Sequence, residues 1–196
     1  MIPLRDENPN RGVPLITALL IVTNILIYVY ETRLGASAEH FILQLGMLPQ
    51  EIVDGANIPG SRLISPYLSL VTSMFLHGGF FHLLGNMWFL WIFGDNIEEF
   101  LGHFAFLAFY IVTGVLASLT HVWFEPESSV PLIGASGAIS GVLGAYFVLH
   151  PRIRILTLVP IFIFITFIRI PAFFFLGIWM LMQFMGWMQP LGQVAY

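Results

Sequence analysis

From Val13 to Tyr30, VPLITALLIVTNILIYVY, the chain carries no charged side chain, and it is flanked by Arg11 on one side and by Glu31 and Arg33 on the other. A helix over such a run can cross the hydrocarbon of a bilayer, which takes about 20 apolar residues, and the pattern recurs along the chain. With 58% hydrophobic and only 9% charged residues, the composition lies far from the roughly quarter-charged make-up of soluble domains. It reads as a multi-span membrane protein. Seven Lys and Arg against eleven Asp and Glu leave a net charge of −4, too weak and too scattered to indicate nucleic acid or an acidic partner surface. The absence of cysteine removes disulfides, thiolate metal sites and a cysteine nucleophile together. The start, MIPLRDENPNRGVP, is mixed in charge and rich in turn residues, unlike a cleaved signal peptide.

Further spans are expected at Phe80 to about Ile97, at Leu101–Phe124, at Gly134–His150 and at Ile170–Trp187. Residues 34–79 are expected to form one long ordered loop at a membrane face, with a short helix from Pro66 to Leu76, and residues 152–169 a membrane-hugging connection. The fold class expected is therefore an all-α polytopic bundle, with residues 1–12 as an N-terminal segment and 13–196 as the membrane domain. Arg5, Arg11, Arg152, Arg154 and Arg169 fall on one side of this arrangement, Arg33 and Arg62 on the other. By the positive-inside rule the N-terminus is cytoplasmic and the 34–79 loop external. Asp95, Glu98 and Glu99 are expected to cap the second span and its turn.

Two stretches put polar groups where lipid would penalise them. In GASGAISG, Gly134, Gly137, Gly141 and Gly144 recur at helical spacing and let a neighbouring backbone come close. Ser136 and Ser140 could simply bond back to carbonyls one turn earlier. Ser136, however, follows a polar loop and falls in the first turn of a helix, where unpaired N–H groups are oriented toward negative charge. In HGGFFHLLGN, His82 and Asn86 lie one turn apart on one helix face, with His77 preceding them, and two neutral donors on one face can hold a developing oxyanion. A hydrogen-bonded pair between helices would explain the same residues.

Together, GASGAISG and HGGFFHLLGNM resemble the rhomboid family of intramembrane serine proteases, and MIPLRDENP, FGDNIEEFLGHFAFLAFY and PRIRILTLVPIFIF extend the resemblance over nearly the whole chain. It implies a rhomboid-like helical bundle with Ser136 as nucleophile and with His82, Asn86 and the Ser136 N–H as oxyanion donors. Transmembrane proteins would be the substrates, the lipid bilayer the surroundings, and no cofactor or nucleic acid would be needed. The residence implied is the plasma membrane of a prokaryote. The base is implied to be a histidine on a sixth span, which would begin near Gly192–Tyr196, so the chain is expected to be incomplete and inactive as it stands.

None of the other histidines carries a motif for that role. His40 reads as solvated loop, His103 and His150 as anchors at the far ends of spans. His121, near the external end of the third span, has a suitable depth but no recognisable context. By resemblance, Trp187–Gln193 would be a mobile cap, which an ordinary loop fits equally well, and Phe173, Phe174, Phe175 and Trp179 a lateral gate, where lipid-facing aromatics are the commoner case. No His and carboxylate cluster has zinc-ligand spacing, so no metal is expected. The alternatives in function are a rhomboid-like protein that binds transmembrane helices without cutting them, and a small membrane transporter.

Overall fold

The computed structural model describes residues 1–8, 12–55, 62–161 and 164–187. In chain order these form β1 (Ile2–Asp6), α1 (Leu15–Arg33), α2 (Ala38–Leu45), α3 (Pro49–Asp54), α4 (Pro66–Thr72), α5 (Phe80–Leu101), α6 (His103–Phe124), α7 (Ser136–Leu149), β2 (Arg154–Ile161), β3 (Phe164–Pro171) and α8 (Ala172–Trp187). Short 3-10 turns occupy Gly35–Ser37 and Ser73–Phe75. Arg11, and the expected cap and sixth-span start from residue 188 onward, lie outside the described residues.

Most of the described chain is helical, but fewer helices than expected are long enough to span. By length and hydropathy α1 and α6 could each cross a membrane, and α4 with its 3-10 turn joins α5 as a third element bent by 83°. Helix α7 has 14 residues, a rise of about 21 Å against roughly 30 Å of hydrocarbon. Its two ends cannot both reach the interfaces. The count of five spans is therefore met for two or three among the described residues.

The core forms where the long helices converge. Leu90, Phe93 and Ile97 of α5, Phe106 and Tyr110 of α6, Val142, Leu143 and Tyr146 of α7, and Phe175 and Leu176 of α8 are all buried in one cluster. The close approach of α6 and α7 depends on small residues. A methyl group on Gly141 would lie 2.4 Å from Thr113 Cβ, and one on Gly137 would lie 2.7 Å from Ala117 Cβ. This alters the expectation of a single glycine stripe. Gly137 and Gly141 face α6, Gly134 precedes the helix and faces His82, and Gly144 meets nothing within 4 Å among the described residues.

The all-α expectation fails at the N-terminus and between α7 and α8, where three strands join in an antiparallel sheet of order β1-β2-β3. The connection read as membrane-hugging is a hairpin, with Arg154 opposite Pro171 and Ile155 opposite Ile170, and β1 adds to it with Ile2 opposite Leu158. The segment is rich in Ile, Thr, Val and Phe, which suit a pleated surface, and its 3.6-residue and 2-residue patterns cannot be separated when nearly every position is apolar. Trp88 Nε1 ties β1 to α5 by donating to the Pro3 carbonyl at 2.6 Å, and Arg169 Nε of β3 pairs with Glu7, just after β1, at 2.6 Å.

Glu98 does not cap its own helix. Its carboxylate accepts from the N–H groups of Ile16 and Thr17, both at 2.7 Å, and from His103 Nδ1 at 2.6 Å. It thus closes the open N-terminus of α1, where negative charge is favoured. In the 34–79 loop, Arg62 reaches the Glu51 carboxylate and the Gly46 carbonyl, and it is the buried anchor of a segment that also holds α2 and α3.

Below the core, Asp6 of β1 accepts from Tyr146 Oη at 2.6 Å and from Asn96 Nδ2 at 2.8 Å. Asn96 Nδ2 also reaches Asp95 Oδ1 at 3.0 Å. The first strand is thereby hydrogen-bonded to α5 and α7 at once. Burial, with the nearby Asp95 charge adding to it, outweighs the lowering effect of the Tyr146 and Asn96 hydrogen bonds and pushes the Asp6 carboxyl up from 3.8 to about 6. A raised folded-state value means the native protein binds the extra proton between those limits, so this contribution to stability is present below about pH 4 and lost as pH rises through about 6. Asp6→Asn, which keeps an acceptor for Tyr146, should remove that decline. The check is a series of thermal unfolding curves in detergent between pH 4 and 7, in which the variant's midpoint should fall less with rising pH than the parent's.

Candidate active site

The site is assembled from the N-terminal ends of α5 and α7. Gly134 N–H donates to the Ser73 carbonyl at 2.9 Å, which pins the strand entering α7 against the turn before α5. Helix α7 has no side-chain cap, so the N–H groups of its first turn, beginning with Ser136, are open. Ser136 itself is exposed, and its hydroxyl makes no hydrogen bond among the described residues. Ser140 behaves differently: its hydroxyl donates back to the Ser136 carbonyl at 2.7 Å.

A cavity of about 370 Å³ runs between α5, α7 and α8, lined by Phe81, His82, Asn86, Ser136, Trp179 and Gln183 among others. The three residues singled out by the sequence therefore share one space. Gly134 sets how closely they approach, because its φ of +118° favours glycine and a Cβ there would fall 2.7 Å from both His82 Nε2 and Cε1 and 3.7 Å from Asn86 Nδ2. His82 is seated where any other residue at 134 would be.

A second, smaller cavity of about 120 Å³ lies on the other side of Ser136, lined by Ser73, Ser118, His121 and Gly137. His121 thus reaches the neighbourhood of the serine without bonding to it. His103 is held by Glu98, His40 is exposed, and the His150 ring lies against Tyr146 with centroids 5.0 Å apart. The aromatic residues of α8 divide: Phe173 and Phe174 are exposed, Phe175 is buried and stacks on Phe89 and Phe93, and Trp179 packs on Phe89 at the cavity wall.

One partner was not legible from the sequence. His77 is buried, with its Nε2 3.0 Å from Asn86 Nδ2 and its ring edge-on to His82 at a centroid distance of 5.1 Å. Asn86 is therefore held from behind. The nine-residue separation of His77 and Asn86, across a bend between two elements, has no helical or strand period that would have paired them.

The rhomboid domain family matches residues 65–196, which include every residue of this site. The chain belongs to the rhomboid family. Among its relatives, the rhomboid protease GluP of Bacillus subtilis is 32% identical over 68% of this chain and 24% of its own length. The rhomboid protease AarA of Providencia stuartii is 29% identical over 68% of this chain and 50% of its own length. Rhomboid protein 1, mitochondrial, of Saccharomyces cerevisiae is 35% identical over 49% of this chain and 29% of its own length. This rhomboid thus spans half or less of the length of those relatives, and its apolar helices make it an integral membrane protein.

Proposed function

We propose that this rhomboid is an intramembrane serine endopeptidase that cleaves transmembrane segments of other membrane proteins. The observation that carries the reading is the shared cavity, in which an unbonded serine hydroxyl at a helix N-terminus meets two side-chain donors. Ser136 Oγ attacks the scissile carbonyl carbon as a histidine base takes its proton. Negative charge then forms on the carbonyl oxygen, where His82, Asn86 and the Ser136 N–H donate to it. Collapse breaks the C–N bond, the leaving amine takes the proton back from the base, and water hydrolyses the acyl-enzyme by the reverse sequence.

Family names support the reaction class, since two of the relatives are named as rhomboid proteases. Among the described residues no imidazole is bonded to Ser136, so the base is assigned to a histidine other than His82, whose place is with the oxyanion. The short rise of α7 fits a nucleophile below the membrane surface, reached by water through the cavity. We place the N-terminus in the cytoplasm and the site toward the external face, following the arginine distribution, and, by family resemblance, the protein in the plasma membrane of a prokaryote.

The test is turnover of a model transmembrane substrate by the protein in its full-length form. His82→Ala and Asn86→Ala should each lower kcat by roughly a hundredfold or less while KM stays close to the parent's, because the donors act on charge that appears only in the transition state. Asn86→Ala should be the milder change if His82 and the backbone N–H hold the charge between them. Unchanged kcat in both variants, with normal unfolding curves, would leave these residues a purely structural role.

A further inference from the structure

Glu31 lies in the last turn of α1 and is only 3% exposed, yet neither carboxylate oxygen has a hydrogen-bond partner among the described residues. In the sequence it is the first charge after the apolar run of Val13–Tyr30. A buried carboxylate without partners is costly, and nearly all buried polar atoms in folded proteins are bonded to protein or to ordered water. His77, 2% exposed, has the same deficit on one side: its Nδ1 is buried and unpartnered. The backbone N–H of His77 faces the Glu31 carboxylate without closing a hydrogen bond to it. Three unpartnered atoms, Glu31 Oε1 and Oε2 and His77 Nδ1, therefore belong to neighbouring residues, and His77 lies directly behind Asn86.

The hydrogen bond on the other side of the ring fixes where the proton must be. An amide nitrogen only donates, so Asn86 Nδ2, at 3.0 Å, requires His77 Nε2 to accept. A neutral imidazole that accepts at Nε2 carries its proton on Nδ1. That N–H needs an acceptor: the Phe75 carbonyl faces the ring, and the Glu31 carboxylate faces the backbone N–H of the same residue. Neither bonds it directly. Buried waters characteristically make about three hydrogen bonds to groups that are otherwise unsatisfied, and one water here would accept from His77 Nδ1 and donate to the carboxylate.

We propose that Glu31 is a positioning residue of the active site: through one internal water its carboxylate holds the proton of His77 on Nδ1, which aims the Nε2 lone pair at Asn86 and keeps the second amide N–H of Asn86 free for the oxyanion. The inference rests on the oxyanion role of Asn86 proposed above. Loss of the carboxylate lets the proton move to Nε2, where it confronts the Asn86 N–H, and the amide turns away. Glutamine at 31 still offers an acceptor and preserves the arrangement.

The experiment compares the parent with Glu31→Gln and Glu31→Leu, each with ¹⁵N-labelled histidine, reading the His77 tautomer by NMR and kcat and KM with a transmembrane substrate. In the parent, His77 should be protonated on Nδ1. Glu31→Leu should shift it toward Nε2 and lower kcat about tenfold at unchanged KM, a part of what removing an oxyanion donor costs. Glu31→Gln should keep the tautomer and most of the rate, and in an Asn86→Ala background Glu31→Leu should cost nothing further. A parent with the proton on Nε2 overturns the proposal even if Glu31→Leu fails to fold. An unchanged tautomer in Glu31→Leu overturns it too and assigns the proton to the Phe75 carbonyl. A parent that shows the tautomer shift on substitution but cleaves nothing would sink the protease reading and leave the Glu31 to His77 link standing.

Discussion

Replacing Ser136 by alanine is expected to lower turnover of a transmembrane substrate by at least roughly a thousandfold, because loss of a serine nucleophile removes the covalent route altogether. Stability should hardly move. The Ser136 side chain is exposed to the cavity and makes no hydrogen bond among the described residues, so its removal breaks nothing. Ser140 is the internal control: its hydroxyl is engaged with the Ser136 carbonyl at 2.7 Å, a bond local to α7, and Ser140→Ala should cleave within a few-fold of the parent. Turnover of Ser136→Ala and Ser140→Ala side by side, with unfolding curves for both, decides the assignment. Equal cleavage by the two variants would remove Ser136 from the mechanism.

The second large effect is expected at Gly134. An alanine there must adopt a φ of +118°, a strain of about 1–3 kcal/mol for a residue with a Cβ, and its methyl would occupy the space of the His82 ring, 2.7 Å from two of its atoms. His82 has to leave its seat beside α7. Gly134→Ala should therefore lose turnover at least as severely as His82→Ala, with a fall in melting temperature besides. Gly141→Ala offers the contrast, since its methyl would strike Thr113 Cβ at 2.4 Å in the α6 and α7 contact about one and a half helical turns from the serine start of α7. That variant should lose stability but keep kcat in whatever fraction folds. If Gly134→Ala turns over like the parent, the seat of His82 is not where the oxyanion forms.

Much of this arrangement was legible in the sequence because it follows from local periodicity. The 3.6-residue repeat places His82 and Asn86 on one face, and the polar loop before GASG marks a helix N-terminus; the shared cavity joins the two. What the sequence hid depends on contacts between distant segments. The pairing of Ile2 with Leu158 and the bond from Tyr146 to Asp6 cross most of the chain, and nothing in the local pattern of IPLRD or of ILTLVPI names the other as partner. The burial of Glu31 was hidden for a related reason. A charge at the end of an apolar run looks like a membrane boundary, yet α1 continues to Arg33 and carries Glu31 into contact with the turn before α5. Glu98, read as a cap for the second span and its turn, bonds His103 just past that turn and also the open N–H groups of Ile16 and Thr17, a distant partner that no local pattern names.

The central claim is that the Ser136 hydroxyl is the nucleophile in a site completed by His82 and Asn86. The most direct measurement treats the protein in its membrane with a serine-reactive fluorophosphonate and maps the adduct by mass spectrometry of its peptides. The expected result is a single phosphonylated residue, Ser136, whose labelling slows in His82→Ala and Asn86→Ala and disappears in Ser136→Ala. Labelling at Ser140, at Ser118 or at Ser73 in place of Ser136, or labelling of Ser136 at the parent rate in both donor variants, would contradict it.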